Sequence, residues 1–243
     1  MRDDLQDALV PVKWAEAQIP ILQDRILKWH HAYPYEIVVE PDPDFGNREL
    51  LVAYLKTPLD QLIIGDVGAM VNSIRTGLNL LMSAVVSRHS VVPDHAPDFP
   101  IYRSETKFLD RVKFFEDKEW VSATEAAAIK RIKAYSGGDN VLLHIAILDN
   151  LRKHRRLLTV EPIPDRATIA IFGAHVDRVM QHMDHKTILY RIGKGSFRPT
   201  KGNSHVAAEI FLNEAPAGAA NKEALLSLRV YIARVNSLII AFP

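Results

Sequence analysis

The chain has 243 residues, 48% of them hydrophobic and 24% charged, a balance that argues against disorder and allows a sizeable buried core. A formal net charge of +1 supplies no global field to recruit nucleic acid or an anionic membrane, so such binding would need a local patch. The absence of cysteine excludes disulfides, thiolate nucleophiles and Cys-ligated zinc or iron–sulfur sites.

Met1–Asp7 (MRDDLQD) is acidic where a secretory leader would be basic and then apolar. Uninterrupted apolar runs such as Leu238–Phe242 are far shorter than the ~20 residues of a membrane span. A cytoplasmic protein without a membrane partner is expected. Apolar residues then recur at Leu5, Leu9, Val12, Ala15, Ile19, Leu22, Ile26 and Trp29, in steps of three and four that mark one face of a long helix. Pro11 and Pro20 interrupt this helix, with a kink expected at Pro20, and Tyr33-Pro34 ends it. Tyr35–Glu40 and Leu50–Lys56 read as the strands of a hairpin around the turn-rich Pro41–Asn47.

Thr57-Pro58 looks like a cap and first position for the next helix, which carries Ile63, Val67, Met70, Ile74, Leu78, Leu81 and Val85 to about Arg88. Ser90–Ile101 is a proline-rich loop, and short helices follow at about Lys107–Phe115 and Ser122–Ala134. Ser122 with Glu125 forms a capping-box pattern. Ser136–Asp139 is a break, Asn140–Leu157 a second major helix, and Thr168–Phe172, Lys186–Ile192 and His205–Leu212 are strand-like. Lys222–Phe242 is a last helix, with Leu225, Leu228, Ile232, Val235 and Ile239 on one face. The fold class expected is α+β and predominantly helical, arranged as one compact unit. Residues 1–158 would be a helical core with an inserted hairpin at about 35–56, and 159–243 a β-rich extension ending in a helix.

Two helices carry the polar groups of interest. On the first, Gly68, Asn72, Arg75, Asn79 and Ser83 line up at steps of four, three, four and four, a stripe that could present hydrogen bonds to a backbone, a phosphate or a base. The same stripe could equally be a polar seam between packed helices. On the second, His144 falls within the apolar arc of Val141, Leu148 and Leu151, while Asn150 and Lys153 lie outside it. Arg152-Lys153-His154-Arg155-Arg156 suits either the negative end of the helix dipole or an anionic backbone. Other signals are weaker. His182-x-x-His185, in a predicted turn, offers poor convergence for a metal, and Gly193-Lys194-Gly195-Ser196 lacks P-loop spacing and reads as a hairpin loop. No cofactor or metal is expected.

Ile64–Val86 (IGDVGAMVNSIRTGLNLLMSAVV) resembles the GD…N-L-R-S-A-L-D-H-L helix of a family of uncharacterised bacterial and phage proteins. Ile129–Leu158 resembles that family's L-H-x-L-D-N-x-D-K-H-R element, matched here by His144, Leu148, Asp149, Asn150, Lys153, His154 and Arg155. Pro34-Tyr35 and Phe99–Ile101 (FPI) fit the same pattern. More distantly the arrangement resembles HEPN domains. That resemblance implies a HEPN-like helical core, a homodimer, an RNA or nucleotide ligand and, in ribonuclease members of defence or toxin systems, metal-independent cleavage. Carried over, Arg75 would stabilise phosphorane charge with His154 or His144 as general base, while Asn72, Asn79, Asn150, Lys153 and Arg155 would bind. The chain departs from the pattern where Asn79 replaces an acid and Leu80 a histidine, so Arg75 has no histidine partner on its own helix. The alternative is a non-catalytic helical scaffold or protein-interaction module in which these residues tie helices together.

Overall fold

A computed structural model describes residues 3–89, 97–154, 158, 160–169, 176–183, 186–197, 204–214 and 219–243. The described residues form six α-helices and seven strands, an α+β fold. A 3-10 turn at Asp3–Leu5 leads into α1 (Gln6–His31). The helix is continuous with Pro11 and Pro20 inside it, and all eight stripe residues from Leu5 to Trp29 are buried.

The hairpin follows as β1 (Tyr35–Pro41) and β2 (Arg48–Leu55), in the antiparallel register Tyr35↔Leu55 to Pro41↔Glu49. The next helix, α2, spans Gln61–Val86 rather than starting at Thr57-Pro58. Asp60 is the reason: its carboxylate accepts from Leu62 N at 2.9 Å and its carbonyl from Ile63 N, which satisfies the first donors of the helix. The carbonyls of Thr57 and Pro58 instead accept from Trp29 Nε1, at 3.3 and 3.1 Å.

Helices α3 (Glu105–Asp117) and α4 (Ala123–Ile132) come next, with both halves of the Ser122/Glu125 capping box formed. The second motif helix is α5 (Asn140–His154), reached through Gly137 at φ +88°, a left-handed position that glycine tolerates. Then come β3 (Val160–Ile169), β4 (Val176–Met183), β5 (Lys186–Gly193), β6 (Ser204–Glu214) and β7 (Ala219–Glu223). The last helix is α6 (Ala224–Ala241), whose first amides at Leu225 and Leu226 are held by the Glu223 carboxylate. The stretch around His182, a turn by its sequence, is a strand in the structure. His182 Nδ1 lies 3.1 Å from Thr187 Oγ1 across the β4–β5 pair, while Asp184 and His185 are outside the described residues.

The chain divides into two compact units. One comprises Met1–Gln23, Ile64–Thr159 and Leu212–Pro243, the other Asp24–Ile63 and Val160–Phe211. The hairpin belongs with the second of these rather than with a helical core ending at residue 158, because β2 pairs with β5 across a long stretch of chain. The resulting sheet has the order β1-β2-β5-β4, with Ile37, Leu51, Ala53, Leu189, Ile192 and Phe197 as its core. A second sheet has the order β3-β6-β7.

The helical unit is built on α2 from Ile64 onward, whose Val67, Met70, Ile74, Leu78, Leu81 and Val85 are all solvent-free. Gly77 lets α1 approach: a Cβ there would lie 2.5 Å from Val12 Cγ2 and 2.9 Å from the Ala8 carbonyl oxygen. Gly77→Ala is therefore expected to destabilise by about 1–3 kcal/mol despite alanine's better helix propensity, read as a lower urea midpoint. By length and mean hydropathy α2 and α6 could each cross a membrane, although neither is an uninterrupted apolar run. The apolarity of α2 is explained by its place in the core; α6 buries one face and leaves another open.

Candidate functional site

Asn72, Arg75 and Asn79 point from α2 toward two neighbours, the segment Asp98–Phe99 and helix α5. Asn79 engages the segment with both ends of its amide: Nδ2 donates to Asp98 Oδ1 at 2.6 Å, and Oδ1 accepts from Phe99 N at 3.2 Å. One turn earlier, Arg75 Nη2 donates to the Phe99 carbonyl oxygen at 2.9 Å. The Phe99 side chain is buried, so the α2 stripe satisfies backbone groups that its burial would otherwise strand.

Asn72 Nδ2 donates to Asp149 Oδ1 at 2.9 Å. Asp149 is 2% exposed and draws two cations from its own helix. Lys153 Nζ lies 2.6 Å from Oδ2 and Arg152 Nε 3.9 Å from Oδ1. Gly68 completes the seam, since a Cβ there would come within 3.0 Å of Arg152 Cδ. Thr76 and Ser83 turn their hydroxyls back onto the carbonyls of Asn72 and Asn79, so these two add no outward donor to the stripe.

Burial pushes the Arg75 guanidinium below its usual pKa, against the pull of the Asp98 and Asp149 charges. The group remains cationic, as arginine does in proteins. Its Nη1 is shut off from solvent and makes no hydrogen bond among the described residues.

His144 stands elsewhere on α5. It precedes Asp149 by five residues, about 140° around the helix, so it faces away from the side that meets Asn72. It is half-buried in a groove of about 320 Å³ with Asn140, Val141, Leu226, Val230 and Tyr231. The structure thus places His144 on a different side of α5 from Asp149, the residue that meets the α2 stripe. Asn150 is exposed, and Lys153 forms the ion pair with Asp149. His154 is the last residue of α5, its side chain outside the described residues, and Arg155 lies wholly outside them.

Two residues central to this arrangement lie outside the catalytic and binding sets drawn from the sequence. One is Asp149, whose signal is an acid inside an apolar helix with a lysine one turn later. The other is Phe99, whose contribution is mainly its backbone, which no side-chain pattern reveals. Comparison with protein-family models, with curated proteins and with solved structures gives no match.

Proposed function

We propose that this chain is a non-catalytic helical scaffold or protein-interaction module, cytoplasmic, in which the motif residues of α2 and α5 are structural. The observation that carries the reading is the engagement of Asn79 and Arg75 with the backbone and side chain of Asp98–Phe99. A residue poised to stabilise a phosphorane needs free donors aimed at the reacting group. Here Arg75 holds its own chain through Nη2, and its Nη1 is walled off from solvent.

Arg75→Ala tests this reading directly. The expected loss is about 2 kcal/mol, seen as a lower urea midpoint, because the Phe99 carbonyl loses a charged partner. The parent protein is expected neither to cleave nor to bind single-stranded RNA at physiological salt. Cleavage or salt-dependent binding that Arg75→Ala abolishes without loss of stability would reverse the conclusion.

A second reading, a HEPN-like RNA- or nucleotide-binding protein, draws on the cationic run that begins with Arg152 and Lys153. Both of those cations face the Asp149 carboxylate, which lowers the positive field they offer a phosphate. The distant family resemblance belongs with this second reading.

A further inference from the structure

Helices α1 and α6 lie side by side in the helical unit and run antiparallel. Arg229 Nη2 donates to Gln23 Oε1 at 3.2 Å near one end, and Val12 and Ile239 both approach Gly77 near the other. A groove between them is lined by Glu16, Ile19 and Pro20 on α1 and by Ile232, Ala233 and Asn236 on α6.

Each helix leaves an apolar stripe directly opposite its buried face. On α1 the stripe is Val10, Trp14, Ala17 and Ile21, and on α6 it is Leu226, Val230, Ala233, Ser237 and Ile240. Both repeat in alternating steps of four and three, the spacing of a helix–helix seam. The six large side chains are between 43% and 61% exposed, against near-zero exposure for the residues on the opposite side of either helix. Because the two helices are adjacent and both stripes point outward, they form one face. The six together offer roughly 500–600 Å² of apolar surface, at the upper limit of what monomers show and about two-thirds to three-quarters of the ~800 Å² per partner of a standard interface, the rest left to the polar rim.

We propose that this face is a homodimer interface, in which the α1–α6 pair of one protomer packs on that of a second copy to form a four-helix bundle. Two antiparallel helices with open seams are half of such a bundle, and a two-fold axis between them sets α1 of each protomer over α6 of the other. Charge favours that crossing. Around its stripe α1 carries exposed Asp7 and Glu16 against Lys13, with Asp24 and Lys28 paired to each other, whereas α6 is bordered by Arg229 and, from α4, Arg131, Arg234 being held by Asp139. Sizes also fit, since small Ala233 and Ser237 leave room for the Trp14 indole. The inference goes beyond the scaffold reading and uses none of the residues on which that reading rests.

Sedimentation equilibrium of the full chain tests it. The parent is expected at twice the 27.4 kDa chain mass. Trp14→Glu/Val230→Glu should weaken association at least ~100-fold, giving the chain mass at micromolar concentration with an unchanged far-UV spectrum. Leu109→Glu, the same kind of change at an exposed position on α3, should leave the dimer intact. If the double variant disturbs folding, Ala17→Arg replaces it with a change at an exposed site of α1. A parent that stays monomeric at about 100 μM would overturn the proposal, as would a dimer indifferent to charges in the seam. So would a monomer that floats with phosphatidylcholine–phosphatidylglycerol vesicles through this face.

Discussion

Asp149→Ala is expected to destabilise the protein by about 2–3 kcal/mol, since a nearly buried acceptor is lost while both cations beside it keep access to water. The carboxylate accepts from Asn72 and Lys153, has the Arg152 guanidinium 3.9 Å away, and is almost solvent-free. Removing it leaves the Asn72 amide without its partner and takes from the Arg152 guanidinium, which lies along Gly68, the carboxylate it faces among the described residues. Lys153→Ala should cost only ~0–1 kcal/mol, because that ammonium can return to water. Urea titrations of the two variants separate these expectations. Equal and small losses would mean that the α2–α5 seam contributes little, and that the polar stripe needs a different account. A double-mutant cycle between Asn72→Ala and Asp149→Ala should give a coupling near 1–2 kcal/mol if the bond between them is a real tie.

The second large effect is a loss of stability at low pH that Glu125→Gln removes. Burial pushes the Glu125 carboxyl up, but the Ser122 amide, Arg88, His89 and the Ser122 hydroxyl together outweigh it and bring the pKa down to about 2. The contacts are close: Ser122 N at 2.9 Å, Ser122 Oγ at 2.8 Å, His89 Nε2 at 2.7 Å and Arg88 Nη1 at 2.8 Å. A carboxyl whose pKa is depressed on folding stabilises fully above its unfolded value, and that contribution falls as pH drops toward the folded value. The window is therefore from about pH 4.5 down to about pH 2. The contribution is of order 2 kcal/mol after allowing for solvent around Arg88 and His89. Measured by urea at pH 7, 5, 4 and 3, the gap between parent and Glu125→Gln should stay level and then close below pH 4.5. A gap that stays constant to pH 3 would place the carboxyl near its ordinary pKa. Arg88 also holds Asp4 at 2.6 Å and the Pro243 carbonyl at 2.8 Å. Arg88→Ala should therefore be at least as damaging at pH 7 as Glu125→Gln.

Periodicity makes the helices legible. Every apolar position on the inner face of α1 and α2 that the spacing predicts is buried, since a helix that fills a core must repeat near 3.6 residues whatever its neighbours are. The Ser122/Glu125 box is equally readable, because both halves of a cap lie within one turn. Strands are harder. β3 carries Pro162 and Pro164, and β4 reads VDRVMQHM, so neither presents a clean alternation, and β4 taken alone resembles a turn. Its place is set by pairing with β5, not by its own pattern.

The polar stripe on α2 shows where sequence stops. Spacing alone puts Asn72, Arg75 and Asn79 on one face, because three- and four-residue steps on a helix allow nothing else. Whether that face meets water, a ligand or the chain itself depends on what packs against it, and no local rule carries that information. Tertiary contact decides it: Asp98–Phe99 and Asp149, brought from outside the helix, meet the Asn72, Arg75 and Asn79 side chains with hydrogen bonds. The same holds for the hairpin, whose strands are evident locally but whose sheet exists only through β5. Local composition fixes which groups a segment offers and in what direction. Only the folded chain, which must pair every polar group it buries, determines which of those offers are already taken.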